Sequence, residues 1–284
     1  MNRFAGVVCG MLIAMLAGSA SADLLLHYSF DELEGTLPDP LTVPDLSGRG
    51  NVGTLVNMDT MNLVPGVLGN ALQFNGGSGD LTTRLELPSD HPDFNRSYTE
   101  FTFAAWLNSV DVAPDEPATT WILGKMGGGG NRGWQIGITG TSPASNPHEL
   151  LFGYFDAPGG AEQEVFMKPN GSLMNDNWFH LAVVFRANDS VKFYINGDLA
   201  LDNAGALSAM NGANNAVFQI GNRGNNQPNS WNGLMDEVYI FDHALTDAGV
   251  RALVPEPSSL TLVAFGAVLA IGAWHRGRFA ARYK

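Results

Sequence analysis

The sequence predicts an all-β protein whose strands form a two-sheet antiparallel sandwich. Strand-length segments with continuous or alternating apolar residues recur along residues 23–253, and clusters of Gly, Asn, Asp and Pro separate them. Charged residues make up only 15% of the chain, which contains 34 glycines and 16 phenylalanines. This composition favours a turn-rich β protein over a helical bundle. Because only one segment has the pattern of a helix, the strands must pack sheet against sheet.

Eleven segments have the pattern of strands bounded by turn-forming residues. In chain order they are 24–30, 71–74, 81–87, 100–107, 121–125, 133–138, 150–155, 178–186, 191–196, 217–221 and 234–241. The strongest hairpin signal is Asn196-Gly197, which directly follows an alternating segment. A helix is predicted over residues 246–253, with Thr246 or Asp247 as its cap and Val254-Pro255 as its stop.

Residues 1–22 have the composition of a secretory signal peptide. Arg3 is followed by an apolar run over residues 4–16, and Ala20-Ser21-Ala22 forms a small-residue cleavage site. The single cysteine, Cys9, lies inside this segment. The sequence therefore predicts an exported chain that begins at Asp23 and has no disulfide.

The C-terminal residues 254–284 predict a three-part sorting segment. A short motif over residues 254–258 precedes an apolar stretch over 259–274 and a basic tail over 275–284. The apolar stretch is short for a membrane span, but snorkelling arginines make a thin transmembrane helix feasible. The basic tail would stay on the cytoplasmic side. The alternative, a buried helix of a soluble domain, is disfavoured by the abrupt basic flank.

This arrangement closely resembles the PEP-CTERM protein-sorting signal of Gram-negative bacteria. Pro255, Glu256 and Pro257 match the motif residue for residue. The resemblance implies that an exosortase recognises and removes the segment. The protein would be anchored transiently in the inner membrane through its C-terminal helix, then released towards the cell surface or an exopolysaccharide matrix.

The charge of the body excludes one class of partner. Between Asp23 and Glu256 there are 28 acidic and 10 basic residues, which gives a net charge of −18. Such a body repels nucleic acid and anionic lipid, and the sequence has no basic stripe to offset this repulsion. Nucleic-acid binding is therefore not expected.

Seven segments of residues 23–253 resemble, in complete order, those of a laminin-G-like domain. They are Leu-His-Tyr-Ser-Phe-Asp-Glu at 26–32, the Asp-Leu-Ser-Gly segment that begins at 45, Gly-Asn-Ala-Leu-Gln-Phe at 69–74, Phe-Thr-Phe-Ala-Ala-Trp at 101–106, Trp-Phe-His-Leu-Ala-Val at 178–183, Val-Lys-Phe-Tyr-Ile-Asn-Gly at 191–197 and Gly-Leu-Met-Asp-Glu-Val-Tyr-Ile at 233–240. The resemblance implies a concanavalin A-like jelly roll.

The sequence offers little support for catalysis. Glycoside hydrolysis needs two carboxylates that flank one bond, and the Glu-x-Asp-x-x-Glu strand of the jelly-roll hydrolases has no match. Glu162 and Glu164 are two residues apart, but they follow Pro-Gly-Gly and are interpreted as a loop or a strand edge; Glu86 is alone in its strand. There is no Gly-x-Ser-x-Gly motif, and residues 23–284 lack a thiol. We therefore expect no enzymatic activity.

Calcium is the one metal for which the sequence makes a case. The relatives that the resemblance suggests often bind one structural calcium ion where the first and last strands meet. Asp236 matches the position in the closing strand, and Asp31, just past the first strand, is the partner that the resemblance implies. Carboxylates and backbone carbonyls are suitable ligands for this ion. The alternative is that Asp236 caps a turn or makes a hydrogen bond at a sheet edge.

Exposed aromatic residues beside amide-rich loops are candidates for sugar binding. Trp121, Trp134 and Trp231 lie near strand ends, and Asn226 lies in the Asn-rich stretch before Trp231. Each tryptophan could instead be a core residue, as we expect for Trp106 and Trp178. The sequence thus predicts a non-enzymatic protein for binding or scaffolding, with polysaccharide as its first ligand class. The alternatives are a glycan-degrading enzyme of the same superfamily and a structural matrix protein without a ligand.

Overall fold

The computed structural model describes residues 24–33, 42–76, 82–109, 119–140, 148–157, 160–168, 177–224 and 230–255. Within these ranges the chain forms sixteen strands, one 3-10 turn and one α-helix. In chain order they are β1 (Leu24–Tyr28), β2 (Thr42–Val43), β3 (Gly53–Val56), the 3-10 turn (Thr60–Asn62), β4 (Leu63–Pro65), β5 (Asn70–Asn75), β6 (Arg84–Leu87), β7 (Glu100–Ser109), β8 (Thr120–Lys125), β9 (Trp134–Ile138), β10 (Leu150–Phe155), β11 (Glu162–Met167), β12 (Phe179–Arg186), β13 (Ser190–Ile195), β14 (Asp198–Ala204), β15 (Phe218–Ile220), β16 (Asn232–Phe241) and α1 (Asp247–Ala252).

The strands form two antiparallel sheets of eight strands each, as a jelly-roll sandwich requires. Sheet A has the order β14-β13-β12-β7-β16-β5-β4, and β1 also pairs with β16. Sheet B has the order β11-β10-β9-β8-β15-β6-β3-β2. The all-β, two-sheet prediction is therefore confirmed.

The sequence pattern located the central strands and missed the peripheral ones. All eleven predicted segments overlap observed strands, whereas β2, β3, β4, β11 and β14 were not predicted. The first three are two to four residues long. Strand β11 carries Glu-Gln-Glu at its start, and β14 is exposed along almost its whole length. These strands are too short or too polar to show the apolar alternation that marks a strand in sequence.

A continuous hydrophobic core fills the space between the sheets, with aromatic residues at its centre. The ring of Trp134 lies 4.9 Å from that of Phe101 and 5.5 Å from that of Phe218, centroid to centroid. Strands β12 and β13 show how alternation creates this core. Val183 pairs with Phe193 on the inner face, while the next pair places Lys192 on the outer face. Phe193 and Lys192 therefore lie on opposite faces of β13, as alternation along a strand requires.

The turn between β13 and β14 explains the hairpin signal. Asn196 and Gly197 have φ values of 52° and 84°. Both values lie in the left-handed region that a type I′ turn requires and that Asn and Gly tolerate best.

Helix α1 covers part of the outer face of sheet A. The Thr246 side chain caps it by accepting a hydrogen bond of 3.1 Å from the amide of Gly249. Val250 is the buried residue of the helix and belongs to a small hydrophobic cluster with Ala104, Ala182 and Tyr194 of the sheet. The alanines of β7 and β12 leave room for the helix.

The two predicted targeting segments lie almost entirely outside the described residues. These are the signal peptide 1–22 and, beyond Pro255, the rest of the sorting segment with Glu256, Pro257, the span 259–274 and the basic tail 275–284. Within the ranges that are described, no helix is long and apolar enough to cross a membrane.

Candidate functional site

A row of residues crosses the outer face of sheet B from one edge almost to the other. Pairing between neighbouring strands aligns one residue of each of seven strands, from β11 to β3. The row, called here the polar row, consists of Glu164, Gly153, Gln135, Gly124, Gln219, Glu86 and Thr54. It contains no large apolar side chain.

Alternation along each strand fixes the direction of these side chains. Trp134 and Ile136, which flank Gln135, belong to the core, and so do Phe218 and Ile220 on either side of Gln219. Because successive side chains of a strand point to opposite faces, the polar row lies on the face turned away from the core.

Hydrogen bonds hold the amides of the polar row in fixed orientations. The Nε2 of Gln135 donates to Glu162 at 3.1 Å, and its Oε1 accepts from Arg223 at 2.5 Å. The Nε2 of Gln219 donates to Glu86 at 2.7 Å, while its Oε1 accepts from the amide of Gly224 at 2.7 Å. Only 2% of Gln135 and 1% of Gln219 is exposed, so these two amides form the floor of the face.

The glycines of the row allow neighbouring groups to approach the sheet closely on both sides of Gln135. Gly124 and Gly153 are its cross-strand neighbours on β8 and β10. A Cβ atom at Gly153 would lie 3.1 Å from the Nε2 of Gln135, which is tighter than an ordinary contact. Any larger residue there would press on the amide of Gln135.

Trp121 lies on the same face and is covered by a cation. The guanidinium carbon of Arg223 is 4.0 Å from the centroid of the Trp121 ring, a cation–π contact. Only 7% of Trp121 is exposed. Burial lowers the pKa of Arg223, partly offset by the charge of Glu162. The stacked pair forms an aromatic and cationic boundary beside the polar row.

The acidic side chains of this face lie at two separate places. Glu162 and Glu164 of the edge strand β11 are exposed and point to the same side. Burial, followed by the charge of Glu162, raises the pKa of Glu164. Glu86 lies five strands away on β6, about 24 Å at a strand spacing of about 4.8 Å, so it cannot act on the same bond as Glu164.

The structure corrects part of the predicted sugar-binding set. Trp134 and Trp231 are fully buried in the hydrophobic core and have no ring face open to a ligand. Trp121 lies on the outer face, as a binding residue must, but the guanidinium of Arg223 covers its ring. Asn226 lies outside the described residues. Conversely, Trp106 and Trp178, expected in the core, are half-buried.

Sequence reasoning missed Gln135, Gln219 and Arg223. The first two had a local signal, because each is a single polar residue between two core residues, in Trp-Gln-Ile and Phe-Gln-Ile. Their alignment in one row depends on the strand order, which a local pattern does not contain.

The second predicted site, Asp31 and Asp236, lies on sheet A at the turn between β4 and β5. The Oδ2 of Asp236 accepts hydrogen bonds from the amides of Val67 and Leu68, at 2.8 and 2.9 Å. The Oδ1 of Asp31 accepts one of 2.7 Å from the amide of Asn70. Both carboxylates therefore contact the same turn.

Glycines allow the carboxylates to approach this closely. The turn is closed by a hydrogen bond of 2.9 Å from the amide of Gly66 to the carbonyl of Gly69. A Cβ atom at Gly66 would lie 2.5 Å from the Oδ2 of Asp236, and one at Gly69 would lie 2.0 Å from the Oδ1 of Asp31. Gly69 also has a φ of 61°. Neither position can accept a side chain without displacing a carboxylate.

Asp236 sits where β16 changes its neighbour. Along one edge, β16 pairs with β5 over residues 232–235 and with β1 over residues 238–241. A bulge separates the two stretches, and within it Glu237 has a φ of 51°. The Glu237 carboxylate accepts a hydrogen bond from Tyr239 and is 2.7 Å from the Nε2 of His27. The bulge thus places two adjacent carboxylates near the same surface.

Asp236 is fully buried, and its Oδ1 has no hydrogen-bond partner among the described residues. Burial raises the pKa of Asp236 to about 7, and the charge of Glu237 adds to this rise, whereas the amides of Leu68 and Val67 oppose it. No lysine or arginine in the described ranges forms an ion pair with Asp236, which is why its ionised form is costly.

The donor set partly fits a calcium ion. The unpartnered Oδ1 of Asp236 is the kind of oxygen that calcium binds, and Asp31 reaches the same turn. However, the described part of the chain contains no group of three or more His, Cys, Asp or Glu side chains arranged to hold a metal. Backbone carbonyls and water would have to supply the remaining ligands. The calcium site stays a prediction.

Comparison with known proteins agrees with this architecture. The model of the laminin G-type family Laminin_G_3, described as belonging to the concanavalin A-like lectin/glucanases superfamily, matches residues 78–251. Among curated proteins, none matches the sequence at a significant level.

Several solved structures share the fold at low sequence identity. The binding domain of Paraclostridial Mosquitocidal Protein 1 has a TM-score of 0.61 and 17% identity, over 82% of this chain and 52% of that one. The binding domain of Botulinum neurotoxin DC, solved with rat synaptotagmin II, has a TM-score of 0.60 and 18% identity, over 82% and 51%. This chain thus spans about half the length of these toxin structures.

A third similar structure matches over almost its full length. Domain 4 of AbnA, a GH43 extracellular arabinanase from Geobacillus stearothermophilus solved with arabinotriose, has a TM-score of 0.56 and 22% identity, over 82% of this chain and 99% of that domain. These likenesses show the fold alone. With the family match over more than half of the sequence, they lead to one conclusion: the chain belongs to the laminin G-type family of the concanavalin A-like lectin/glucanases superfamily.

Proposed function

We propose that this protein is an exported, non-catalytic binding domain whose ligand is a glycan bound on the outer face of sheet B. The polar row is the observation that carries the proposal. Its amides are oriented by hydrogen bonds, lie between glycines and are bordered by the Trp121–Arg223 pair. The exposed carboxylates of Glu162 and Glu164 can accept hydrogen bonds from sugar hydroxyls, and the buried amides of Gln135 and Gln219 hold Glu162, Arg223 and Glu86 in place.

The similar structures support a binding role without assigning a ligand. Two of the three are described as binding domains, and the third is a domain of an arabinanase solved with arabinotriose. The family name itself covers both lectins and glucanases. A glycan is therefore the first ligand class to test.

A glycan array probed with the purified protein tests the proposal. We expect binding to at least one class of polysaccharide, and we expect Gln135→Ala and Gln219→Ala to weaken it at least tenfold. Gln73→Ala is the matched control, because Gln73 is an exposed glutamine on β5 of sheet A. Equal binding by all three variants would place the ligand elsewhere, and an array without any signal would contradict a glycan-binding role.

The second candidate function is glycan hydrolysis by the carboxylates of β11. The observation that favours it is that Glu162 and Glu164 point to one face with Cα atoms about 7 Å apart, since alternate residues of a strand are separated by about twice its rise. A reducing-sugar release assay decides between the two functions. Hydrolysis by the wild-type protein that disappears in Glu164→Gln would establish the enzyme, whereas the binding proposal predicts no release by either protein.

Export and surface sorting are part of the proposal. They rest on the sequence of residues 1–22 and 254–284, with the motif Pro255, Glu256 and Pro257. Intact-mass analysis of protein recovered from its native host tests them. We expect a species that begins at Asp23 and lacks residues 276–284. A surface species that retains the basic tail would contradict processing by an exosortase.

A structural calcium ion at Asp31 and Asp236 also belongs to the proposal. It would join the turn between β4 and β5 to the bulge of β16 and so connect three strands of sheet A. The buried, unpartnered Oδ1 of Asp236 supports it. Its role would be to stabilise the fold, on the sheet opposite the glycan-binding face.

A further inference from the structure

The ring of Trp121 lies against the backbone of sheet B and under a guanidinium. Its cross-strand neighbour on β9 is Gly137, where a Cβ atom would lie 2.9 Å from the Cε3 of the ring. The ring therefore contacts the sheet at a position that has no side chain. The guanidinium carbon of Arg223 is 4.0 Å from the ring centroid and covers a ring face.

Glycine also allows Arg223 to lie on this face. Arg223 follows β15, and a Cβ atom at Gly124 of β8 would lie 3.2 Å from the Cβ of Arg223. On β9, Gly137 and Gln135 are two residues apart, which places Trp121 about 7 Å from the polar row along the strands. A glycan that crosses the polar row therefore passes directly beside Trp121.

The guanidinium of Arg223 is incompletely compensated in this position. Its Nη1 donates to the Oε1 of Gln135 at 2.5 Å, whereas its buried Nε has no hydrogen-bond partner among the described residues. Burial lowers the pKa of Arg223, and the charge of Glu162 offsets this in part. An unpaired buried donor and a desolvated cation both cost free energy. Movement of the guanidinium into solvent would recover its hydration, which offsets the loss of the cation–π contact.

An exposed carboxylate lies close enough to pair with the guanidinium after it moves. Gln135 connects the two groups, because its Oε1 accepts from Arg223 while its Nε2 donates to Glu162 at 3.1 Å. Glu162 is exposed. Arg223 can therefore leave the Trp121 ring and remain beside a negative charge in solvent.

We propose that Arg223 is a specificity-determining residue of the glycan-binding face: it covers Trp121 in the free protein, and a sugar ring displaces it there when glycan binds. This inference rests on the proposed function, since it names a subsite of the same face. The C–H groups on one side of a sugar ring match the face of an indole ring. A glycan whose rings lack such an apolar side cannot replace the lost cation–π contact, so the face selects against it.

Nuclear magnetic resonance of the wild-type protein reports this movement directly. Protons above an aromatic ring resonate upfield, so the Nε proton of Arg223 should lie upfield of that of Arg186, an exposed arginine on sheet A. Saturation with the oligosaccharide that gives the strongest signal on the glycan array should remove most of this difference. A difference that persists in the bound protein would overturn the inference.

Oxidation of tryptophan by N-bromosuccinimide, located by peptide mass spectrometry, tests the cover on Trp121. Arg223→Ala should raise the oxidation rate of Trp121 several-fold. Trp134, which is buried in the core, should stay unreactive in every variant and so shows that the fold is intact. Arg186→Ala is the matched control, because it removes the same charge from sheet A and should not change the rate. Equal rates in the wild type and in Arg223→Ala would contradict the inference.

Isothermal titration calorimetry measures the effect on binding. Without the guanidinium, a sugar ring no longer has to displace a cation–π contact, so Arg223→Ala should bind the same oligosaccharide roughly two- to thirtyfold more tightly than the wild type. The gain should disappear in the Trp121→Leu background, in which there is no ring for either group to cover. Arg186→Ala should bind as the wild type does.

The outcomes separate this inference from the proposed function. If the oligosaccharide binds and Gln135→Ala weakens it, but Arg223→Ala binds it equally or less tightly, the face binds glycan without displacing Arg223, and the inference is overturned. A gain that persists in the Trp121→Leu background also overturns it. If no oligosaccharide on the array binds, the proposed function fails and the inference fails with it.

Discussion

The outer faces of the two sheets differ more in amino-acid composition than their inner faces do. Both inner faces carry apolar residues that interlock in one core. On the outside, sheet A has small and apolar residues such as Ala104 and Ala182 under helix α1, and a buried carboxylate at the bulge of β16. Sheet B has oriented amides, glycines and carboxylates, and no helix of the described residues packs on it. The proposed function thus assigns stabilisation of the fold to the outer face of sheet A and ligand binding to that of sheet B.

The largest expected effect contrasts the two faces of a single strand. Phe193→Ala should lower the free energy of unfolding by about 3–5 kcal/mol, because it empties a fully buried site in the core. Lys192→Ala, on the outer face of sheet A, should cost less than about 0.5 kcal/mol, since its ion pair with Asp202 is partly exposed. Urea denaturation measures both. Similar costs would mean that the register of β13 is wrong.

A buried cation at the end of β8 should be the next most costly residue to remove. The Nζ of Lys125 donates to the carbonyls of Asn214 and Ala216, at 2.6 and 2.9 Å, and the side chain is fully buried. Lys125→Met keeps most of the volume but leaves these carbonyls without a donor, which should cost about 2–4 kcal/mol by the same urea assay. Lys192→Met is the control at a half-buried position on the outer face of sheet A. A loss below about 1 kcal/mol would show that the ammonium is not needed to hold this loop.

If Asp31 and Asp236 bind calcium as proposed, the ion should stabilise the fold. With calcium at a hundredfold excess over its Kd, the free energy of unfolding should rise by about 2.7 kcal/mol, and the Tm by about 5–11 °C for a domain of this size. Magnesium should do much less, because it requires tight octahedral geometry. Asp236→Asn should abolish the effect. Melting curves of the wild-type protein that are unchanged by calcium and by chelator would remove the metal from the proposal.

Asp236 also predicts a pH dependence of the protein's stability. Its pKa of about 7 lies above the value of 3.8 for a free aspartate, so the folded protein retains a proton that the unfolded chain releases between these values. Stability contributed by this group is therefore present at low pH and falls as pH rises from about 4 to 7, by at most about 1.4 kcal/mol per pH unit.

Urea denaturation across this pH range checks the pH dependence, with calcium absent. Asp236→Asn should flatten this component of the profile, and bound calcium should suppress it in the wild type because the ion favours the carboxylate form. A wild-type profile that matches that of Asp236→Asn would show that Asp236 does not titrate in this range.

Sequence patterns predicted the strands that line the core, because a strand with one buried face shows alternating apolar residues in its sequence. They did not predict β14, which is exposed along almost its whole length, or β11, which begins with Glu-Gln-Glu. The same limit affected the sites. Trp134 and Trp231 were assigned to binding from their position near loops, although a large ring at a strand end fills a core equally well. Gln135 and Gln219 become neighbours of the same row only through the order β9-β8-β15, which depends on pairing between distant segments.

Mapping of the bound glycan by backbone amide chemical shifts tests the central claim most directly. The claim is that the outer face of sheet B binds glycan and that of sheet A does not. On titration with a glycan that binds, we expect the shifts to change along β8, β9, β10, β11 and β15, with the largest changes at Gln135 and Gln219. Residues of β12, β13 and α1 on sheet A should remain unchanged. Changes confined to sheet A or to helix α1 would contradict the account.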